Sequence, residues 1–215
     1  MPFQFLLSSN NSLIHEEIEP YITLPSTALF DQLILKIELE GTPIYLSGAS
    51  QYTHIGTSYF DQQWALNLEE QQLETIQLEE PYQDQVQDEQ YLKVDAKGTL
   101  MVEATNTLHG MRFELLHQFY DEMTPELRRR NQQSLLQLIA ENATTDREIE
   151  TQFDTYPGQI SYEATAERYA VLDGAYLYVN MPQLFDDLLN FRSTERTLPF
   201  SYDDLVRETR YIQIT

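Results

Sequence analysis

The hydrophobic pattern of this chain changes period near residue 110, and that change limits the folds open to it. Before it, apolar and polar residues alternate; after it, apolar residues recur every third or fourth position. Alternation lines one face of a strand, and the longer period lines one face of a helix. The pattern predicts a single α+β domain in which an antiparallel sheet built from β-hairpins packs against two or three helices from the C-terminal half. Residues 1–110 are expected to form a mainly strand, acidic subregion and residues 111–215 a mixed helix and hairpin subregion. No Pro/Gly/Ser-rich linker separates them.

Three hairpins follow from pattern and turn chemistry together. Leu33, Leu35, Ile37 and Leu39 alternate with Ile34, Lys36, Glu38 and Glu40, and a Gly41-Thr42 turn would bring Ile44 and Leu46 onto the same apolar face. Tyr91–Asp95 meets Thr99–Glu103 across a loop in which Gly98 supplies a positive φ. Leu92, Val94, Leu100 and Val102 then share one face, with Lys93, Asp95 and Glu103 on the other. In the third, an Asp173-Gly174 turn pairs Val171 with Tyr176 and Tyr169 with Tyr178, giving one face of tyrosines and one of Ala and Leu. Segments 64–68 and 76–80 read as further strands.

Helices are expected from Met111 through Leu115, Leu116 and Phe119, and from a Thr124-Pro125-Glu126 start to about Asn142. A short helix near 146–153 and an amphipathic helix carrying Leu184, Phe185, Leu188, Leu189 and Phe191 complete the expectation.

Charge bounds the function. The chain has 35 acidic and 13 basic residues, a formal net charge of −22. Leu, Ile, Val and Phe still make up 58 of the 215 residues, enough for a folded core. The acidic balance repels phosphate backbones and anionic headgroups, so neither nucleic acid nor membrane is an expected partner. With no positively charged leader region at the N-terminus and no apolar run long enough to span a bilayer, the expected location is cytoplasmic.

Several chemistries lack their residues. The chain contains no cysteine, which excludes thiol catalysis and thiolate metal sites. Gly-x-Ser-x-Gly and glycine-rich phosphate loops are missing. In His15-Glu16-Glu17-Ile18-Glu19 the second histidine of a zinc-protease helix is replaced by Glu19. His117 lies three and four positions from Glu114 and Asp121, spacing that could bring ligands together but that also describes a solvated helix face. No metal and no cofactor are expected. The basic run Arg128-Arg129-Arg130 points in three directions on a helix and suits pairing with nearby acids.

The segment from Glu69 to Gln90 is the most distinctive. It holds eight acidic residues and no basic one. As a solvated edge it would keep the sheet soluble; as a field it would steer a basic surface to the chain. Glu79, Glu80, Asp84, Asp88 and Glu89, with Tyr82 as an apolar anchor, are the candidate partner-binding residues. Tyr169, Tyr176 and Tyr178 form a candidate ligand or contact face, with burial under another element as the competing reading. The expected function is that of a non-enzymatic acidic binding protein that neutralises or escorts a basic protein partner, in the manner of an immunity protein or nucleic-acid-mimicking inhibitor. A small-ligand-binding protein or hydrolase with a tyrosine-lined pocket, and a structural subunit of a larger assembly, are the alternatives.

Overall fold

A computed structural model of the chain describes residues 3–8, 30–48, 50–179 and 207–214. The architecture is α+β: mostly antiparallel sheet, with the described helices following residue 109. Two compact units are present, one drawing on 1–85 and 109–117, the other on 86–108 and 118–179 with the terminal strand. The amphipathic segment 184–191 lies outside the described residues.

The first unit is built on a five-stranded sheet of β1 (Phe3–Ser8), β2 (Gln32–Leu39), β3 (Thr42–Ser47), β4 (Trp64–Asn67) and β5 (Gln72–Thr75), ordered β3-β2-β1-β4-β5. Leu39 pairs with Thr42, so the β2–β3 turn is Glu40-Gly41, both at positive φ, and not Gly41-Thr42. Each cross-strand pair is displaced by two residues from the expected one. An even displacement leaves every side chain grouped with the same face, so Leu35 comes to sit opposite Leu46 and Ile37 opposite Ile44 with all four on one side.

The core lies on the other side of this sheet from the one the alternation favoured. Leu6, Ile34 and Ala65 are fully buried there against Phe60 and Ile76, with Tyr45 beside them. Leu33 and Leu39, expected inside, are exposed. The buried side also carries polar residues that are satisfied. Asn67 donates to Glu74 and its Oδ1 accepts the N–H groups of Glu69 and Glu70, while Lys36 Nζ lies 2.6 Å from Glu74 Oε1. Burial opposes the charge on Lys36, but the Glu74 hydrogen bond and nearby charges outweigh it and its pKa is raised. The expected strand at 76–80 is absent: β5 ends at Thr75, and Ile76 is a core residue.

The second unit holds the sheet β12-β6-β7-β9-β8, from β6 (Gln85–Val94), β7 (Leu100–Leu108), β8 (Glu150–Gln152), β9 (Gly158–Ala166) and β12 (Arg207–Ile214). The β6–β7 hairpin has the expected register: Val94 faces Leu100 and Leu92 faces Val102. Gly98 adopts φ +80° and lies so close to Ala170 that a Cβ would come within 2.5 Å of its carbonyl oxygen. These apolar residues, with Ala104, Ala164 and Ala166, form a core against which Leu136 and Ile139 pack. Residues 146–153 form no helix; β8 pairs there with β9, and Ile149 is buried.

Helix α1 (Gly110–Asp121) occupies its expected span but is rotated. Met111, Leu115 and Phe119 are exposed, whereas Phe113 and Tyr120 are buried. Helix α2 (Pro125–Ile139) begins as read, with Thr124 Oγ1 accepting the Leu127 N–H. It stops three residues before Asn142, whose side chain instead donates to the Glu167 carbonyl at 2.6 Å. The last hairpin, β10 (Val171–Asp173) with β11 (Tyr176–Tyr178), pairs Asp173 with Tyr176. Its turn is therefore Gly174-Ala175, again two residues off in pairing and unchanged in facing.

Candidate binding site

Alternation along β6, β7 and β9 gives the second sheet a polar outer face. One row across it is Tyr91, Glu103 and Glu163; the next is Glu89, Thr105, Ser161 and Glu150. Thr105 Oγ1 and Ser161 Oγ share a hydrogen bond of 3.2 Å, and Gln87 donates to Glu89 at 2.7 Å. Beside these rows the chain before β8 carries Arg147 and Glu148, and together the elements enclose a depression of about 180 Å³.

Tyr91, Glu103, Arg147, Glu148, Glu150 and Glu163 supply the ionisable and aromatic lining. Arg147 Nη1 is 2.6 Å from Glu163 Oε1, between half-exposed side chains. Among the described residues Glu103, Glu148 and Glu150 have no ion-pair partner. Four carboxylates against one guanidinium leave an excess of negative charge in a concavity, where field lines are focused. Tyr91 is 52 % exposed. A cation entering would meet carboxylates and a π-face together.

The acidic segment named from sequence is dispersed by the fold. Glu79 and Glu80 are exposed on the loop after β5. That loop is held by Asp61, whose two carboxylate oxygens accept the N–H groups of Leu78 at 3.1 Å and Tyr82 at 2.9 Å. The Tyr82 hydroxyl stands where a Cβ on Gly110 would reach within 3.0 Å, so it packs at the start of α1. Asp84 accepts the Arg112 N–H at 3.0 Å. Asp88 shares the inner face of its strand with Leu92 and accepts from Gln90 at 2.8 Å. Of the six residues, Glu79, Glu80 and Glu89 present carboxylates outward, and Glu89 alone belongs to the outer face described above.

Tyr169, Tyr176 and Tyr178 differ in their surroundings. Tyr176 and Tyr178 are exposed, by 70 and 58 %, while Tyr169 packs against the core of the second unit; burial raises its pKa. His117 is half-buried, its ring set edge-on against Tyr52 at 5.0 Å and Phe113 at 5.5 Å, and Glu114 accepts from Thr53. Among the described residues no group of three His, Asp or Glu could hold a metal ion. Arg129 and Arg130 both pair with Glu126, and Arg128 donates to the Tyr120 carbonyl.

Glu150 and Glu163 were not among the residues singled out from sequence. The signal for Glu163 was present in the alternation of Ile160, Tyr162, Ala164 and Ala166 with Ser161, Glu163 and Thr165, which marks a strand with one polar face.

No described helix is long and apolar enough to cross a membrane. Comparison with protein-family models, with curated proteins and with solved structures finds no match to this chain.

Proposed function

We propose that this chain is a non-enzymatic, cytoplasmic acidic binding protein that neutralises or escorts a basic protein partner. The observation that carries the reading is the outer face of the second sheet. There an exposed tyrosine stands among carboxylates, of which Glu103, Glu148 and Glu150 have no internal cation among the described residues. Carboxylates on strands are held by the ladder beneath them and lose little entropy on meeting a partner's arginine or lysine. Tyr91 would supply the apolar anchor, and Glu79 and Glu80 would add to the steering field. The mechanism is occlusion: a basic surface held against this face is closed to its own ligands.

The test is capture of proteins from a lysate of the source organism on the immobilised full chain, at low and moderate salt. It is run in parallel with the Glu103→Lys/Glu150→Lys double variant. A basic protein retained by the parent chain, released by salt and not retained by the variant is the expected result. Equal retention by both chains, or an association rate unchanged by salt, would overturn the reading.

A further inference from the structure

One pairing on the outer face of the second sheet is unfavourable to the fold by itself. Glu103 stands directly opposite Tyr91 on one neighbouring strand and directly opposite Glu163 on the other. The Cβ atoms of such partners lie ~5 Å apart, where like charges destabilise a sheet. The chain neutralises one of the two acids: Arg147 Nη1 lies 2.6 Å from Glu163 Oε1. Glu103, exposed beside a half-exposed tyrosine, has no ion-pair partner among the described residues. A guanidinium is thus already engaged at one end of the row, and a second carboxylate, flanked by an aromatic residue, stands next to it.

We propose that this depression receives one arginine side chain of the basic partner, its guanidinium bound to Glu103 and stacked on Tyr91. The inference rests on the basic-partner reading and specifies its central contact. Size selects a single side chain. The row from Tyr91 to Glu163 crosses three strands, ~10 Å, and the next row lies ~7 Å along them. With a volume of about 180 Å³, the depression fits the head of one long side chain, whereas a helix, ~10–12 Å across, is too wide to enter. Chemistry selects arginine over lysine. A planar guanidinium can give a carboxylate two parallel N–H donors and lay its face on an aromatic ring, while an ammonium is a compact and strongly hydrated point charge. Arg147 limits the guests to one, since it engages Glu163 and leaves Glu103 to the partner. The loop that carries Arg147 is also held without this ion pair: the main chains of Thr144 and Thr165 bond in both directions at 2.8 Å, and Gln132 donates to the Arg147 carbonyl at 2.6 Å.

The experiment is titration of the ¹⁵N-labelled full chain, followed by its amide shifts at about 20 mM NaCl, with blocked Gly-X-Gly tripeptides in which X is arginine, lysine or citrulline. The arginine peptide should move the amides around Tyr91, Glu103 and Glu163 and bind at least about threefold tighter than the lysine peptide; citrulline, the neutral analogue of arginine, should not saturate. Glu103→Gln should weaken arginine binding at least about fivefold, and Tyr91→Leu should reduce it to the level of lysine. Arg147→Gln should tighten it at least about twofold by removing a like charge. Far-UV circular dichroism checks that each variant is folded. Equal binding of arginine and lysine, shifts confined to the loop of Glu79 and Glu80, or an affinity unchanged by Glu103→Gln overturns the proposal. Capture of a basic protein that the Glu103→Lys/Glu150→Lys variant loses, together with equal arginine and lysine binding, overturns this inference and leaves the basic-partner reading standing. Arginine-selective binding with no protein retained from the lysate supports the site chemistry and overturns that reading.

Discussion

The carboxylate of Asp84 reaches the first turn of α1 from a preceding loop, its Oδ1 accepting the Arg112 N–H at 3.0 Å. The opening N–H groups of a helix have no partner inside it, and an anion there also meets the positive end of the helix dipole. Asp84→Ala should therefore lower stability by about 0.5–2 kcal/mol, and Asp84→Asn by less. Glu79→Ala and Glu80→Ala, exposed and outside such a bond, should each stay within about 0.5 kcal/mol. Urea denaturation of the four variants separates the structural acid from the outward-facing ones.

The same turn makes Gly110 irreplaceable. Its φ is +61°, and a Cβ would lie 2.4 Å from the Gln83 carbonyl oxygen. Gly110→Ala should cost more than about 2 kcal/mol, combining left-handed strain with displacement of backbone. Gly41, at φ +90° with nothing within 4 Å of its Cβ position, faces strain alone, and Gly41→Ala should cost about 1 kcal/mol. Paired denaturation curves give the comparison.

Burial pushes the His109 imidazole below its ordinary value of 6.5. A group with a lowered folded pKa binds fewer protons folded than unfolded, so its stabilisation is full above 6.5 and is lost as pH falls from there to the folded value. The parent chain should lose more thermal stability between pH 7.5 and 5.5 than His109→Gln does, roughly flattening the difference above 7. Melting temperatures at four pH values suffice.

Phe60 is fully buried among Leu6, Ile34 and Ile76. Phe60→Ala should cost about 3–5 kcal/mol by leaving a cavity. Asn67→Leu keeps the volume but strips the Glu69 and Glu70 N–H groups of their acceptor, and should cost about 1–3 kcal/mol. Calorimetry of both variants distinguishes lost packing from lost polar satisfaction.

Steering and anchoring divide between residue types. Charge reversal at Glu79 and Glu80 should slow association with a basic partner at low salt and leave dissociation nearly unchanged. Tyr91→Ala should speed dissociation instead, by about tenfold or more if the ring is an anchor. Surface plasmon resonance at two salt concentrations reads both.

What the sequence made legible was facing, and what it concealed was register. In the β2–β3 and β10–β11 hairpins the residues expected to share a face do share it, yet both pairings are displaced by two residues and in β2–β3 the shared apolar face is the one turned away from the core. Alternation sets the side; the turn sets the pairing. Glu40 takes φ +53°, a conformation its residue type does not announce. Helix α1 failed differently. Its Met111-Leu115-Phe119 and Phe113-Tyr120 stripes are both apolar, and Tyr52 and His54, which meet the ring of Phe113 or its neighbour His117, come from a loop with no period to read. The acidic segment looked like one site because its residues are adjacent in sequence. A strand sends neighbours to opposite sides, so Asp88 and Glu89 part company.

The β10–β11 hairpin pairs with no third strand among the described residues and exposes Val171, Leu172, Tyr176 and Tyr178. Open ladder edges flanked by bare apolar side chains are templates for adding further chains. At neutral pH the negative charge carried by every further copy of the chain holds such encounters off. That protection is titratable, for it fades as the solution nears the pI of about 4.3. A purification passing through mild acid should turn cloudy well before the fold itself gives way.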